Sequence, residues 1–248
     1  METIVAAPQP RQVEAGQGWI WIAEAFELFK RAPGPWIGTF LLWCLGYFVV
    51  SIVPMGGLLM SFFAEVLMAG WLLGCRSLET GGELKVEHLF AGFKHPQLTQ
   101  LIVVGALYLL GLVVVILVVG LVVGGSMMPL WFGKTTTASD LHVGLSLLLG
   151  VLLFLAALVP LFMATWFAAA LVLFDGQPAM EAMKQSFAAC MANLVPFLLY
   201  GVVLMGLGLL AAIPLGLGFI VLGPVVIASV YTSYRDVFRR PAEAVVTR

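Results

Sequence analysis

Glu65 lies inside an apolar stretch, eleven residues after Pro54 and eleven before Arg76. At about 1.5 Å of helix rise per residue, that spacing puts its carboxyl near the middle of a hydrocarbon layer roughly 30 Å thick. A carboxylate at that depth costs several kcal/mol unless it is protonated, wetted or paired. The chemistry it would support is a proton or cation site. The plainer reading is a neutral carboxylic acid bonded to a neighbouring helix through Thr39, Ser51 or Thr165. A second set sits where apolar segments end: Arg76, Asp175, and the adjacent Arg235 and Asp236. Guanidinium groups in such places grip phosphate, or pair with carboxylates, or merely reach for water. The expectation is a lipid or partner site at Arg76, Asp175, Arg235 and Asp236.

Other reactive side chains are sparse. His88 and His95, near Glu87, read as solvated residues of a surface helix and not as a metal site. Cys44, Cys75 and Cys190 are odd in number and include no Cys-x-x-Cys pair, so no disulfide framework or zinc site is expected. There is no Ser/His/Asp set, no His-Glu-x-x-His and no phosphate-binding glycine loop. No enzyme, metal or cofactor is expected.

These residues must be positioned by membrane helices. The chain is 62% hydrophobic and 10% charged, with a mean hydropathy of +1.07, against roughly a quarter charged in a soluble domain. Its apolar runs do not alternate, which excludes an outer-membrane barrel. Six spans are expected, at about 36–53, 58–75, 98–123, 143–174, 197–213 and 215–231, in a single membrane domain over 18–238. Short tails, 1–17 and 239–248, flank it, the first expected to be flexible. Pro54-Met55-Gly56-Gly57 and Pro214 break the first and last pairs. The fourth segment exceeds the bilayer's need and is expected to tilt, extend or bend near Pro160. Residues 1–12 contain no apolar run of signal-peptide length, so the first span is expected to direct insertion.

Eleven of the twelve Lys and Arg residues fall in stretches on one side of that topology, and only Lys134 falls on the other. Because cytoplasmic loops carry the excess of Lys and Arg, both termini are expected in the cytoplasm of a bacterial inner membrane. Each of three stretches on that side holds an amphipathic helix before a span. Trp19, Ile22, Phe26 and Phe29 oppose Glu24, Glu27 and Arg31; Val86, Leu89, Phe90 and Phe93 repeat the spacing; Met180, Met183, Phe187 and Met191 do so again. Such helices lie in the headgroup plane with the apolar face down. The unit, a surface helix plus a two-span hairpin, is used three times, whether by duplication or by bilayer geometry. The long link 124–141 differs, with Trp131 suited to an interfacial anchor. The formal net charge of −1 and the dispersed basic residues exclude nucleic acid. Membrane lipids and other envelope proteins are the partners implied.

Several motifs occur together: Gly74-Cys75-Arg76; Glu87-His88-Leu89-Phe90-Ala91-Gly92-Phe93; Phe174-Asp175-Gly176 with Glu181-Ala182 and Ser186-Phe187; and Tyr231-x-x-Tyr234-Arg235-Asp236-x-Phe238. In that order they resemble an uncharacterised family of six-span proteobacterial inner-membrane proteins. More distantly, residues 175–193 resemble the membrane domain accompanying some glycerophosphodiester phosphodiesterases, without their catalytic barrel. The resemblance implies location and topology, and Glu65 lies outside its motifs. The preferred expectation is a non-enzymatic envelope protein that binds lipid or a partner at its cytoplasmic rim. The alternative is a small transporter or exporter using Glu65.

Overall fold

The computed structural model describes residues 9–131 and 137–239, with side chains described except over 126–142. Among these residues there is no strand. The helices are α1 (Gln17–Arg31), α2 (Pro33–Ser51), α3 (Gly56–Glu79), α4 (Leu98–Trp131), α5 (Thr137–Trp166), α6 (Ala168–Asp175), α7 (Ala179–Ala192), α8 (Leu194–Ala212) and α9 (Phe219–Tyr234), with a 3₁₀ helix at Val86–Lys94 and a π-turn at Arg235–Arg239. Lys134, the outer basic residue, lies outside the described residues, as does the side chain of Trp131.

Five helical stretches are long and apolar enough to cross a membrane: Pro33–Ser51, Gly56–Glu79, Leu98–Gly125, Val143–Asp175 and Leu194–Ala212. The sixth expected span, 215–231, overlaps α9, which has 16 residues and is not among these five. It starts late because Leu215 and Gly216 take left-handed turns, with φ of 54° and 81°. The turn between α2 and α3 is equally tight. Met55 is left-handed, and a Cβ on Gly56 would fall 1.8 Å from the Val50 carbonyl.

Three hairpins, α2–α3, α4–α5 and α8–α9, form an incomplete ring. α3 packs on α4, and α9 packs on α2 and α3. α5 and α8 share no comparable seam: α5 packs on α4, α6 and α7, and α8 on α1, α7 and α9. The core gathers at the end of the bundle that carries the arginines. Trp21, Trp36, Leu72, Leu101 and Phe167 are fully buried there, and Trp36 stacks on Trp71 with ring centroids 5.3 Å apart.

The three short helices are wedged against the hairpins. α1 packs on α8 and α9, the 3₁₀ helix on α3, and α7 on α5 and α6. Glycines allow the contact: a Cβ on Gly18 would meet the Pro196 carbonyl at 2.2 Å, and one on Gly70 the His88 carbonyl at 2.3 Å. The faces that pack on the hairpins coincide only in part with the apolar faces that the sequence reading laid against the headgroups. In α1 the buried residues are Trp21, Ile22, Ala25, Leu28 and Phe29, while Trp19 and Phe26 are exposed. In α7 the small residues Ala179, Ala182, Ser186, Ala189 and Cys190 face inward with Met183, and Met180, Phe187 and Met191 face outward. The middle helix is 3₁₀, so positions three apart eclipse. Leu89 and Gly92 are therefore its buried pair, and Val86, Phe90 and Phe93 stay exposed.

The fourth span runs through Pro160 as helix and breaks instead at Phe167. There the hydroxyl of the fully buried Ser186 accepts from the Phe167 N–H at 2.9 Å and donates to the Met163 carbonyl at 2.7 Å. A side chain from α7 thus replaces one rung of the i→i−4 ladder, a recognised cause of a sharp bend.

Candidate functional site

The site forms where α3, α6 and α9 end together. Arg76 and Glu79, three apart in the last turns of α3, share a face. Phe174 and Asp175 end α6, which stops at a left-handed Gly176 with φ 64°. Tyr231 and Tyr234 come from α9, and Arg235 and Arg239 from the π-turn. Together Arg76, Glu79, Phe174, Tyr231, Tyr234, Arg235 and Arg239 line a cavity of about 280 Å³.

Two of its three guanidinium groups are matched. Arg235 bridges Glu79 and Glu24, and Glu79 also accepts from the Tyr231 hydroxyl. Burial alone would lower the Arg235 pKa, but its hydrogen bond to Glu79 and the charges of Glu24 and Glu79 hold it above the ordinary arginine value. It stays a cation. Its buried Nε has no hydrogen-bond partner among the described residues. Arg239 pairs with Asp175 at 2.5 Å and donates to the Tyr234 hydroxyl at 3.1 Å, while Tyr234 donates to Asp175 at 2.6 Å. Arg76 differs. It is exposed, lies over the Phe174 ring at 5.4 Å, and has no carboxylate within ion-pair distance among the described residues.

The structure brings Arg76 and Arg235 to one cavity, but the carboxylates are arranged otherwise than the sequence reading supposed. Neither arginine pairs with Asp175 or Asp236. Asp236, fully buried, turns away from the cavity to accept from Arg11 and from the Trp21 indole N–H at 2.9 Å. Asp175 serves Arg239 from behind. The neutralising partners of Arg235 come from Glu24, on a surface helix, and Glu79, one turn beyond Arg76. Sequence reading named neither as a site residue. The Arg76 and Glu79 spacing was a usable signal; the reach of Glu24 across 211 positions to Arg235 was not.

Asp236 instead anchors the start of the chain. Arg11 donates its backbone N–H to the Val237 carbonyl at 3.0 Å and its Nε to the Asp236 carbonyl at 2.6 Å. The buried Asn193 accepts from the Val13 N–H at 2.8 Å and donates to the Arg11 carbonyl at 3.0 Å, as a neighbouring strand would. Residues 11–13, placed in a flexible tail by the sequence reading, are therefore clamped.

Glu65 lies half-buried on α3, with Tyr108 of α4 within electrostatic reach. Thr39, Ser51 and Thr165 are not its partners, since each bonds a carbonyl in its own helix. None of the four principal cavities is lined by Glu65.

These features define a helical integral membrane protein with a polar, arginine-bearing end. Over 250 aligned residues, the chain is 27% identical to a protein of Burkholderia thailandensis named a probable inner membrane protein, covering 92% of this chain and 93% of that one. No family model matches, and no solved structure matches.

Proposed function

We propose that this chain is a six-span inner-membrane protein with both termini and the arginine-bearing end in the cytoplasm, and that the cavity at Arg76 binds the phosphate of an anionic lipid headgroup. The orientation rests on the Lys and Arg asymmetry of the sequence. α9 serves as a short sixth span, with the π-turn and its arginines beyond it at the cytoplasmic end. The exposed Trp19, Phe26, Phe90, Phe93, Met180, Phe187 and Met191 then lie at the bilayer boundary, as the apolar faces of three interfacial helices.

One observation carries the headgroup reading: Arg76 stands without a carboxylate beside two arginines whose carboxylates are already engaged. A phosphodiester supplies the anionic partner that Arg76 lacks, and the planar guanidinium suits it. The tyrosine hydroxyls are spent on Glu79 and Asp175, so the cavity offers cations in preference to neutral donors. The test is native mass spectrometry of protein purified from membranes and re-exposed to phosphatidylglycerol. Arg76→Ala should lose a phosphatidylglycerol that the native chain retains, with its fold kept by circular dichroism. Equal retention by both proteins would refute the site. Retention of a protein in place of lipid, lost in Arg76→Ala, would convert it to a partner site.

A further inference from the structure

The incomplete ring leaves a second feature that the headgroup cavity does not use. Between α5 and α8, where the other inter-hairpin boundaries are packed, runs a groove of about 450 Å³ lined by Leu158, Phe162, Met163, Trp166, Phe197 and Gly201 among others. Cys190 of α7 also lines it. We propose that this groove is an acyl-chain site, holding a single hydrocarbon chain of a phospholipid from the leaflet at the arginine-bearing end.

The lining selects for hydrocarbon because its polar atoms are already committed. The Tyr200 hydroxyl bonds Ser229 at 2.6 Å, the Trp166 indole N–H donates to Ser233 at 3.3 Å, and the Cys190 thiol donates to the Met163 carbonyl at 3.6 Å. A headgroup, a sugar or a peptide backbone entering here would lose its hydrogen bonds to water and gain none. The length of the groove matches one leaflet and falls short of what a spanning partner helix would cover. From Trp166 to Leu155 the groove follows α5 for about 16 Å, roughly half of a 30 Å hydrocarbon core. Close helix approach in membranes also favours small residues, and this lining is mostly Leu, Phe, Met and Trp. A second copy of the chain fails for the same reasons. A groove one leaflet deep, apolar, and flanked by two helices long and apolar enough to span fits one chain of a lipid.

Gly201 gives a clean way to fill it. It lines the groove, and a Cβ there meets nothing within 4 Å, so Gly201→Phe adds bulk without displacing backbone. Gly206, further along α8 and outside the groove, is equally open and serves as the control. Protein stripped in detergent after reconstitution into palmitoyl-oleoyl phosphatidylethanolamine and phosphatidylglycerol nanodiscs is weighed by native mass spectrometry. The native chain and Gly206→Phe should each retain one phospholipid that Gly201→Phe lacks. A benzophenone amino acid at Leu158 should give a phospholipid adduct in the stripped native protein, and one at the exposed Leu148 should not. Arg76→Ala should leave the Leu158 adduct intact, which separates this site from the headgroup cavity. Equal lipid retention by Gly201→Phe, no adduct at Leu158, or a Leu158 crosslink to protein would each overturn the proposal.

Discussion

The two ends of this bundle obey different rules. At the arginine-bearing end, side chains are buried against one another: Trp21, Trp36 and Phe167 are fully enclosed, and ion pairs link helices far apart in sequence. Toward the other end the hairpins separate, and Leu121, Ile213 and Leu215 are 76%, 76% and 97% exposed. The difference follows from the solvent each end meets. Lipid tails are as apolar as leucine, so no hydrophobic force drives spans together in the hydrocarbon. Association must come from packing, hydrogen bonds and charges, and those are concentrated at one end. That end acts as a clasp, and the hairpins hang from it.

If so, the largest effect should come from the most buried charged contact. Asp236→Ala removes the carboxylate that accepts from Arg11 and Trp21 and leaves a guanidinium with little access to water and only the main-chain carbonyl of residue 236 beside it. Breaking such a buried pair costs about 3–5 kcal/mol. The expected reading is a sharp drop in thermal unfolding temperature in micelles, with residues near Arg11 newly sensitive to protease. Asp236→Asn, which keeps an acceptor for Trp21, should fall between. A native-like melting curve for Asp236→Ala would mean the clasp does not depend on the start of the chain.

Steric substitution at a clasp glycine should come next. In Gly70→Leu the Cβ alone would lie 2.3 Å from the His88 carbonyl and 2.7 Å from that of Leu89, and backbone cannot give way as a flexible side chain can. Overpacking of this kind costs about 1–3 kcal/mol. Chemical unfolding followed by tryptophan fluorescence would measure it. An unchanged midpoint would show that the 3₁₀ helix docks loosely on α3.

Ser186→Ala tests the bend where clasp and hanging span meet. The change strands the Phe167 N–H and the Met163 carbonyl, each in a buried setting, with a penalty of about 1–3 kcal/mol if neither finds a partner. A smaller loss would mean that α5 and α6 straighten to restore the direct bond. Distances between spin labels on α5 and α8 would then change, whereas in the native chain they should not.

Composition and periodicity foretold the helical class, five of the six expected spans and the shared location of Arg76 and Arg235, because bilayer thickness and charge placement act over local stretches. Three things were hidden. The sequence reading assigned α1 and α7 an apolar face turned to the membrane but not the second face that packs on the hairpins: in α7, Met180 and Phe187 face outward while alanines and a serine make the close contacts. The break at Phe167 depends on a hydroxyl 19 residues away in the chain, whereas Pro160 advertised a bend it does not make. The ion pairs of Arg235 and Asp236 reach back to Glu24 and Arg11, and no local pattern encodes a contact over more than 200 positions.

The smallest effects belong to the hanging ends, and their smallness is informative. Gly206 meets nothing within 4 Å, and Leu148 is exposed on α5. Gly206→Ala removes a helix-weakening residue without a clash, and Leu148→Ala exchanges one lipid-facing apolar side chain for another. Each should shift the unfolding midpoint by no more than about 0.5 kcal/mol, as expected for surface positions away from special features. The same alanine change at Leu72 or Leu101, both fully buried in the clasp, should cost about 2–5 kcal/mol. A large penalty for Leu148→Ala in native membranes that vanishes in micelles would mean that a neighbouring protein covers the separated hairpins. The openness of that end would then be a binding surface and no longer a consequence of weak driving force in lipid.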